Sequence, residues 1–368
     1  MMTRWGFTGI FALGVVVFAG CSPPATEAEE TATDTVSTAA SVHHWKLITT
    51  WPKNFPALGT APERLAENLR VMSNGRLDIK VYGAGELVGA FEVFDAVSQG
   101  TAEMGHGAAY YWRGKMPVAA MFATVPFGMT AQEMNGWLHY GGGLELWREL
   151  YAPFGVLPLA AGNTGVQMAG WFNTEIQSLA DLQGLKMRIP GLGGEVLQRA
   201  GGVPVTLPVS DIFTALQTGT IDATEWVGPY NDLALGLHTI AKYYYYPGWH
   251  EPGATLEAII NTAAWDSLPQ DLKTMVEVAT RAINADMLSE FTARNSAALA
   301  TLVEEHGVQL RRLPDDVLDR LRSVAKEVVE EAAQDNELAA RIHRSYMDFL
   351  VSVKAYHEIS ERAYINVR

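Results

Sequence analysis

Several kinds of residue and motif are scarce in this chain of 368 residues, and each scarcity excludes something. There is one cysteine, so no disulfide can close within the chain and no Cys-based zinc or iron–sulfur site can be assembled. Basic residues are outnumbered, with 27 Lys and Arg against 41 Asp and Glu, for a net charge of −14. Duplex binding depends on neutralising phosphates with Lys and Arg, so nucleic acid is excluded as a partner. Apolar runs are short: the one near the start, about fifteen mostly apolar residues after Arg4, falls below the length of a membrane span. There is no GxSxG elbow and no HExxH, and the His250-Glu251 pair lacks the second histidine. What is plentiful is material for a core. Apolar residues make up 48% and charged ones 18%, the profile of a globular chain, and the length suits two domains.

The N-terminus says where the protein works. Residues 1–20 have one positive charge, an apolar stretch and small residues, the layout of a secretory signal peptide. Phe18-Ala19-Gly20-Cys21 resembles a bacterial lipobox, with Phe18 in place of the usual Leu, and predicts lipidation at Cys21. Ordinary cleavage would instead leave an unpaired thiol in an exported protein. Residues 21–42 are rich in Ser, Thr, Ala, Glu and Pro and read as a flexible tether. The folded part is expected from His43, outside the cytoplasm.

From Trp45 the chain alternates strands and helices. WKLITTW (45–51) and RLDIKVY (76–82) read as strands; Thr60-Ala61-Pro62-Glu63 reads as a capping box opening a helix, and a second helix spans roughly 90–99. This order predicts an α/β fold with helices over a largely parallel sheet. FDAVSQGTAE (94–103) and FTALQTGTID (213–222) echo each other at an offset of 119 residues, which suits one lobe of a two-lobed protein. Near the end, Leu338, Ile342, Tyr346, Phe349, Val353 and Tyr356 form an apolar seam at near-heptad spacing. The seam fits packing across the chain's own lobes or against a second copy.

Gly83-Ala84-Gly85-Glu86-Leu87-Val88-Gly89 follows a strand, with Glu103 twenty residues beyond Gly83. Its GxGxxxG spacing and its place after the second strand argue for a plain turn over a dinucleotide site. A different set stands out. Arg188 ends the strand LKMRIP and can fork two hydrogen bonds onto a carboxylate. Asn163 and Gln167 lie in GNTGVQMAGWF, Glu225 and Trp226 follow the second echo copy, and Glu251 lies in YYYYPGWHEPG. Strand carboxyl ends are where open α/β sheets bind ligands.

With these segments in view, the mature chain resembles the solute-binding proteins of TRAP transporters, the DctP family. AGELVGAFEVFDAVSQGTAEMGHGAAYYW, GNTGVQMAGWF, LKMRIPG, GTIDATEWVGPYND and PGWHEP carry the resemblance. It lies closest to the subgroup binding 2-oxo or 2-hydroxy monocarboxylates. It implies a two-lobed, periplasmic-binding-protein-like clamp with strands shared between lobes and a long C-terminal helix. Expected boundaries are 43–165 plus 253–290 for lobe I, 166–252 plus 291–335 for lobe II, and 336–368 for the helix, read as a homodimer contact. The resemblance assigns the ligand carboxylate to Arg188. It assigns a cation, Ca²⁺ or Na⁺, to Gln167, Glu225, the Trp226 carbonyl and Glu251, with Asn163, Tyr110 and Tyr111 lining the pocket. It further implies a periplasmic location, membrane permease subunits as partners, no chemical step, and membrane contact only through the lipid at Cys21. An exported enzyme or a sensor subunit acting on small carboxylic acids is the alternative.

Overall fold

The computed structural model describes residues 41–368, so the signal peptide and Cys21 lie outside the described residues. In chain order its strands are β1 (His43–Thr49), β2 (Leu77–Tyr82), β3 (Met104–Gly107), β4 (Val156–Asn163), β5 (Gly170–Phe172), β6 (Lys186–Arg188), β7 (Val203–Val205), β8 (Ala223–Thr224), β9 (Tyr243–Tyr246), β10 (Thr255–Asn261) and β11 (Gln309–Arg312). They form a five-stranded sheet, β2-β1-β3-β10-β4, and a six-stranded sheet, β11-β9-β5-β8-β6-β7. Both sheets are mixed rather than largely parallel. β10 runs antiparallel to β3 and β4, and β5 antiparallel to β8 and β9. The cause is topological: these strands enter a sheet from the other half of the molecule, without the helical crossover that parallel pairing requires.

The halves are joined in three places. Residues 164–169 lead from β4 to β5, residues 247–254 lead from β9 back to β10, and the helix Gln270–Ala300 leads toward β11. The first two connections run side by side as a ribbon. Thr164 N–H donates to the Ala254 carbonyl at 3.0 Å, Gln167 N–H to Glu251 at 3.1 Å and Ala169 N–H to Tyr245 at 2.9 Å. They approach so closely at Gly248 that a Cβ there would lie 2.1 Å from the Gln167 carbonyl oxygen. The long helix lies over the ribbon, with Met287 against Gly162 and Leu288 against Gly165.

The two echo copies adopt the same local structure, one in each half. The helix Val93–Ser98 ends before Gly100 (φ +74°) and leads to β3; the helix Val209–Gln217 ends before Gly219 (φ +72°) and leads to β8. A left-handed residue is what a helix stop of this kind requires. The expected capping box at Thr60 does not form. The helix spans Thr60–Met72 with Gly59 as its cap, and Thr60 Oγ1 instead accepts from Arg64 Nη1 at 3.2 Å. A side chain at position 59 is excluded, since its Cβ would lie 2.2 Å from the Pro52 carbonyl oxygen. In the GAGELVG segment, Gly83 N–H donates to Glu86 Oε2 at 2.7 Å, and Glu103 accepts from Lys46 N–H at 2.7 Å. Both acids are spent on backbone, as a plain turn needs.

The last long helix, Glu337–Ile359, divides the apolar seam in two. Ile342 and Tyr346 are fully buried in the chain's own core. Tyr346 Oη accepts from Met129 N–H at 2.9 Å, and its ring stands edge-on to Trp137 at 5.1 Å. Beyond Leu350 the apolar side chains Val351, Tyr356 and Ile359 are exposed, as are Tyr364 and Ile365 in the short helix that follows. No helix among the described residues is long and apolar enough to cross a membrane.

Candidate functional site

The site lies where the ribbon meets the two sheets. Arg188 ends β6 and Glu225 follows β8, its parallel neighbour, in which Thr224 pairs with Arg188. Glu225 N–H donates to the Arg188 carbonyl at 3.2 Å, and the side chains form a short ion pair, each 1% exposed. Arg188 is held on every side. Nε donates to the Leu207 carbonyl at 3.2 Å, Nη2 reaches Tyr111 Oη at 3.5 Å, and the guanidinium stacks 5.0 Å above the Trp226 ring. Burial, the largest single influence, opposes the arginine's charge, but Glu225 together with Tyr111, Tyr110 and Glu251 outweighs it and holds Arg188 above its ordinary pKa.

The second carboxylate comes from the ribbon. Glu251 is buried and accepts from Gln167 Nε2 at 2.7 Å. Burial, reinforced by Glu225, pushes its carboxyl well above the usual range. Gln167 Oε1, Glu225 Oε2 and both ring nitrogens of His250 are buried without hydrogen-bond partners. Idle polar atoms gathered in one buried place call for an explanation, because each forgoes the hydrogen bond it would make in water.

The remaining walls are aromatic. Tyr110 and Tyr111 follow β3 and stand edge to face at 4.7 Å. Trp51 lies edge-on to Trp226 at 6.1 Å and is aimed by a neutral histidine: its Nε1 donates to His106 Nδ1 at 2.9 Å, and His106 Nε2 faces the Ala161 carbonyl at 3.1 Å. Burial pushes His106 down to about 4, consistent with an uncharged ring.

The halves are shut on each other. Arg113, after Tyr111 in the five-stranded half, donates to the Gly191 carbonyl at 2.8 Å and to Glu195 Oε2 at 2.5 Å in the six-stranded half. Gly191 (φ +65°) lies against Tyr110, where a Cβ would come within 3.2 Å of the tyrosine Cβ. Between the halves remains a cavity of about 10 Å³, bordered by Trp51, Tyr110, Tyr111, Gln167, Arg188 and Trp226. An outer pocket of about 330 Å³ shares Tyr110 and Tyr111 with it and opens past Arg113, Glu195 and Arg199.

The structure thus brings Arg188, Gln167, Glu225, Trp226, Glu251, Tyr110 and Tyr111 together. Asn163 is placed apart: its Oδ1 accepts from Gly165 N–H at 2.9 Å, and its Nδ2 faces Thr255 Oγ1 at 3.2 Å, so it shapes the ribbon rather than bordering the cavity. Trp51, Thr164 and His250 belong to the neighbourhood and were not singled out by sequence. Glu225, His250 and Glu251 each bring a ligating atom within 4.8 Å of the others. With Gln167 Oε1, the carboxylates make an oxygen-rich donor set that carries more negative charge than Arg188 alone balances, and such a set fits a hard cation.

Comparison with known proteins agrees with this geometry. Residues 47–336 match the DctP family, bacterial extracellular solute-binding protein family 7. A monocarboxylate 2-oxoacid-binding periplasmic protein of a Nostoc species is 41% identical over 91% of this chain and 92% of its own length. A TRAP periplasmic solute-binding protein from Colwellia psychrerythraea, solved with bound calcium and pyruvate, superposes with a TM-score of 0.87 at 43% identity, covering 89% of this chain and 100% of that one. A Pseudoalteromonas atlantica counterpart with sodium and pyruvate gives 0.86 at 43% identity, covering 89% and 99%. A Bordetella bronchiseptica TRAP solute-binding protein, a mixed-occupancy dimer with calcium and picolinate, gives 0.87 at 36% identity, covering 89% and 97%. The match over most of the described residues, joined to a two-sheet fold closed on a buried ionic site, establishes that this chain belongs to the DctP family of bacterial extracellular solute-binding proteins.

Proposed function

We propose that the chain captures a small 2-oxo or 2-hydroxy monocarboxylate, of the size of pyruvate or lactate, together with Ca²⁺ or Na⁺. It then delivers the acid, chemically unchanged, to the membrane permease of a TRAP transporter. One observation carries this reading: a buried arginine and a buried glutamine border the small cavity between the halves, each paired with a buried glutamate, and idle oxygen atoms stand among them. Arg188 would take the acid's carboxylate through its planar fork. Gln167, Glu225, the Trp226 carbonyl and Glu251 would hold the cation, whose charge offsets both glutamates. With Glu225 so engaged, Arg188 is released from it and free to turn to the acid, so cation and acid strengthen each other's binding. Tyr110 and Tyr111 cover the bound acid, and Asn163 supports the site through the turn it holds. The calcium or sodium found with pyruvate in the two relatives supports the same assignment.

The test is titration calorimetry with pyruvate and lactate on the mature protein, in Ca²⁺, in Na⁺ and after exhaustive removal of both. Affinity should fall at least ~10-fold on removal and again in Glu225→Gln, of the order of 1.4 kcal/mol or more. Undiminished affinity under both treatments removes the cation from the mechanism. Turnover of the acid would replace the binding role with the enzyme reading.

The clamp is read as lobe I, 43–165 plus 253–290, closing on lobe II, 166–252 plus 291–335, with Cys21 lipidated and holding the protein to a membrane. The 336–368 segment is read as a homodimer contact. An apolar groove of about 660 Å³, bordered by Phe127, Trp249, Leu318, Met347 and Leu350, lies beside the exposed Val351. The exposed Tyr356 and Ile359 continue the same helix. Tyr356→Glu with Ile359→Glu should give a monomer in sedimentation velocity without loss of fold. A wild-type chain that sediments as a monomer at micromolar concentration overturns the dimer.

A further inference from the structure

We propose that the cation centre also accepts a first-row transition dication, with the His250 imidazole as its nitrogen ligand beside the Glu225 and Glu251 carboxylates. This rests on reading that centre as a cation site, and it adds a donor and a class of ion that the oxygen set alone would not favour. His250 lies in the ribbon next to Glu251 and is 1% exposed. Both its ring nitrogens are buried and without partners. Nε2 faces Glu225 Oε2 at 3.5 Å, and that oxygen is idle as well. The helix Gly191–Arg199 packs against this residue at Gly193, where a Cβ would lie 2.9 Å from the His250 Cβ, so the side chain is confined.

Buried imidazoles normally use at least one nitrogen. Here both are idle while a carboxylate oxygen, idle too, stands beside Nε2, and the three ligating atoms of Glu225, His250 and Glu251 converge within 4.8 Å. One centre therefore contains two overlapping donor sets that share both glutamates. Gln167 completes an all-oxygen set suited to Ca²⁺ or Na⁺; His250 completes a nitrogen-bearing set suited to Zn²⁺ or Co²⁺. Charge favours a dication in either set, since two positive charges cancel Glu225 and Glu251 and leave Arg188 for the anionic acid. A 2-oxo or 2-hydroxy acid, with an oxygen next to its carboxylate, chelates ions of both kinds. The protein would thus load its acid where transition ions are present and calcium is scarce.

The experiment titrates the metal-stripped full chain with Co²⁺ alone and follows its d–d absorption, with no acid present. One Co²⁺ per chain should bind, with the spectrum of a nitrogen-containing site, and excess Ca²⁺ should displace it. His250→Asn should weaken Co²⁺ by at least the ~10–100-fold that even outer partners of a metal site typically contribute. It should leave Ca²⁺ within a few-fold, with thermal melting confirming the fold. His250→Gln serves as a second variant if the first melts early. Three results overturn the proposal: no Co²⁺ bound, Co²⁺ indifferent to both substitutions, or Co²⁺ and Ca²⁺ weakened alike. Calcium binding in the wild type separates the two readings. Its absence strikes the cation centre itself, whereas calcium bound without cobalt strikes only the nitrogen ligand.

Discussion

The two halves of the molecule are braced alike and equipped differently. In the five-stranded half, buried Glu257 of β10 accepts from Trp112 Nε1 and from Tyr151 Oη at 2.9 Å, tying down the turn that bears Tyr110 and Tyr111. In the six-stranded half, buried Asp232 accepts from Trp171 Nε1 at 3.0 Å and Tyr244 Oη at 2.6 Å. Its other oxygen faces Val227 N–H at 3.4 Å, tying down the segment that bears Glu225 and Trp226. Each half thus fixes its cleft segment with one acid, one indole and one phenol. Yet the six-stranded half presents Arg188, paired with Glu225 behind it, and the Trp226 ring to the cavity, while the five-stranded half presents only aromatic rings, Trp51 and the tyrosine pair. The bracing serves geometry and repeats; the cavity-facing chemistry is divided between charge and cover.

That division ranks the expected effects of substitution. Arg188→Ala removes the fork from the charged half and should cost ~3–5 kcal/mol, several hundred-fold or more in acid affinity, since a buried carboxylate is left unpaired. Arg188→Lys should recover little of it. If calorimetry finds Arg188→Ala within a few-fold of wild type, the charged half does not hold the acid.

The bracing acids come next, and both act through stability. Burial pushes Asp232 and Glu257 up to about 7 each, against ~4 in the unfolded chain. Between those values the native state binds more protons than the unfolded state, so each acid lowers stability as pH rises from ~4 to ~7, by of order 3–4 kcal/mol. Glu257→Gln and Asp232→Asn should each flatten urea midpoints across that window. An unchanged slope in either variant would show that the bracing is not alike in the two halves.

A smaller effect is expected at the rim. Arg113 and Glu195 are 37% and 27% exposed, and Arg113→Ala should speed acid release about 3- to 10-fold, the range of a partly exposed charged contact, with little change in capture rate. Stopped-flow rates that shift capture instead would place Arg113 on the entry path. Smallest of all is Tyr111→Phe. It deletes one long contact to Arg188 while keeping the ring, and should cost about threefold or less. A loss there approaching that of Arg188→Ala would end the distinction between charge and cover.

Much of this was legible in the sequence because local chemistry marks it. Gly100 and Gly219 announced their helix stops, and Arg188, Glu225 and Glu251 stood at strand ends or in a Pro- and Gly-rich crossing where ligand groups collect. Pairing across the sheet was not legible. That Glu225 answers Arg188 depends on β6 lying beside β8, which no spacing reveals. His250 carried a signal, a histidine next to the site glutamate, but with alanine at position 254 the pair does not complete a zinc-helix motif. The family resemblance assigned Asn163 to the pocket lining, whereas the ribbon claims both ends of its amide. The terminal seam looked uniform at near-heptad spacing, yet Trp137 absorbs its first part and leaves the second exposed. Only tertiary position separates the two.

The ribbon between the halves also governs leverage. A group moves in proportion to its distance from a pivot, and Gln167 and Glu251 bond across the pivot itself, while Arg113 and Glu195 stand at the far rim. Rotation of one half against the other would sweep the rim through the longest arc and leave the ribbon carboxylate and amide almost still. Three side-by-side attachments, the two ribbon connections and one long helix, resist torsion and leave bending as the soft direction. An ion gripped at the pivot would therefore stiffen the whole joint from the point where least travel is needed.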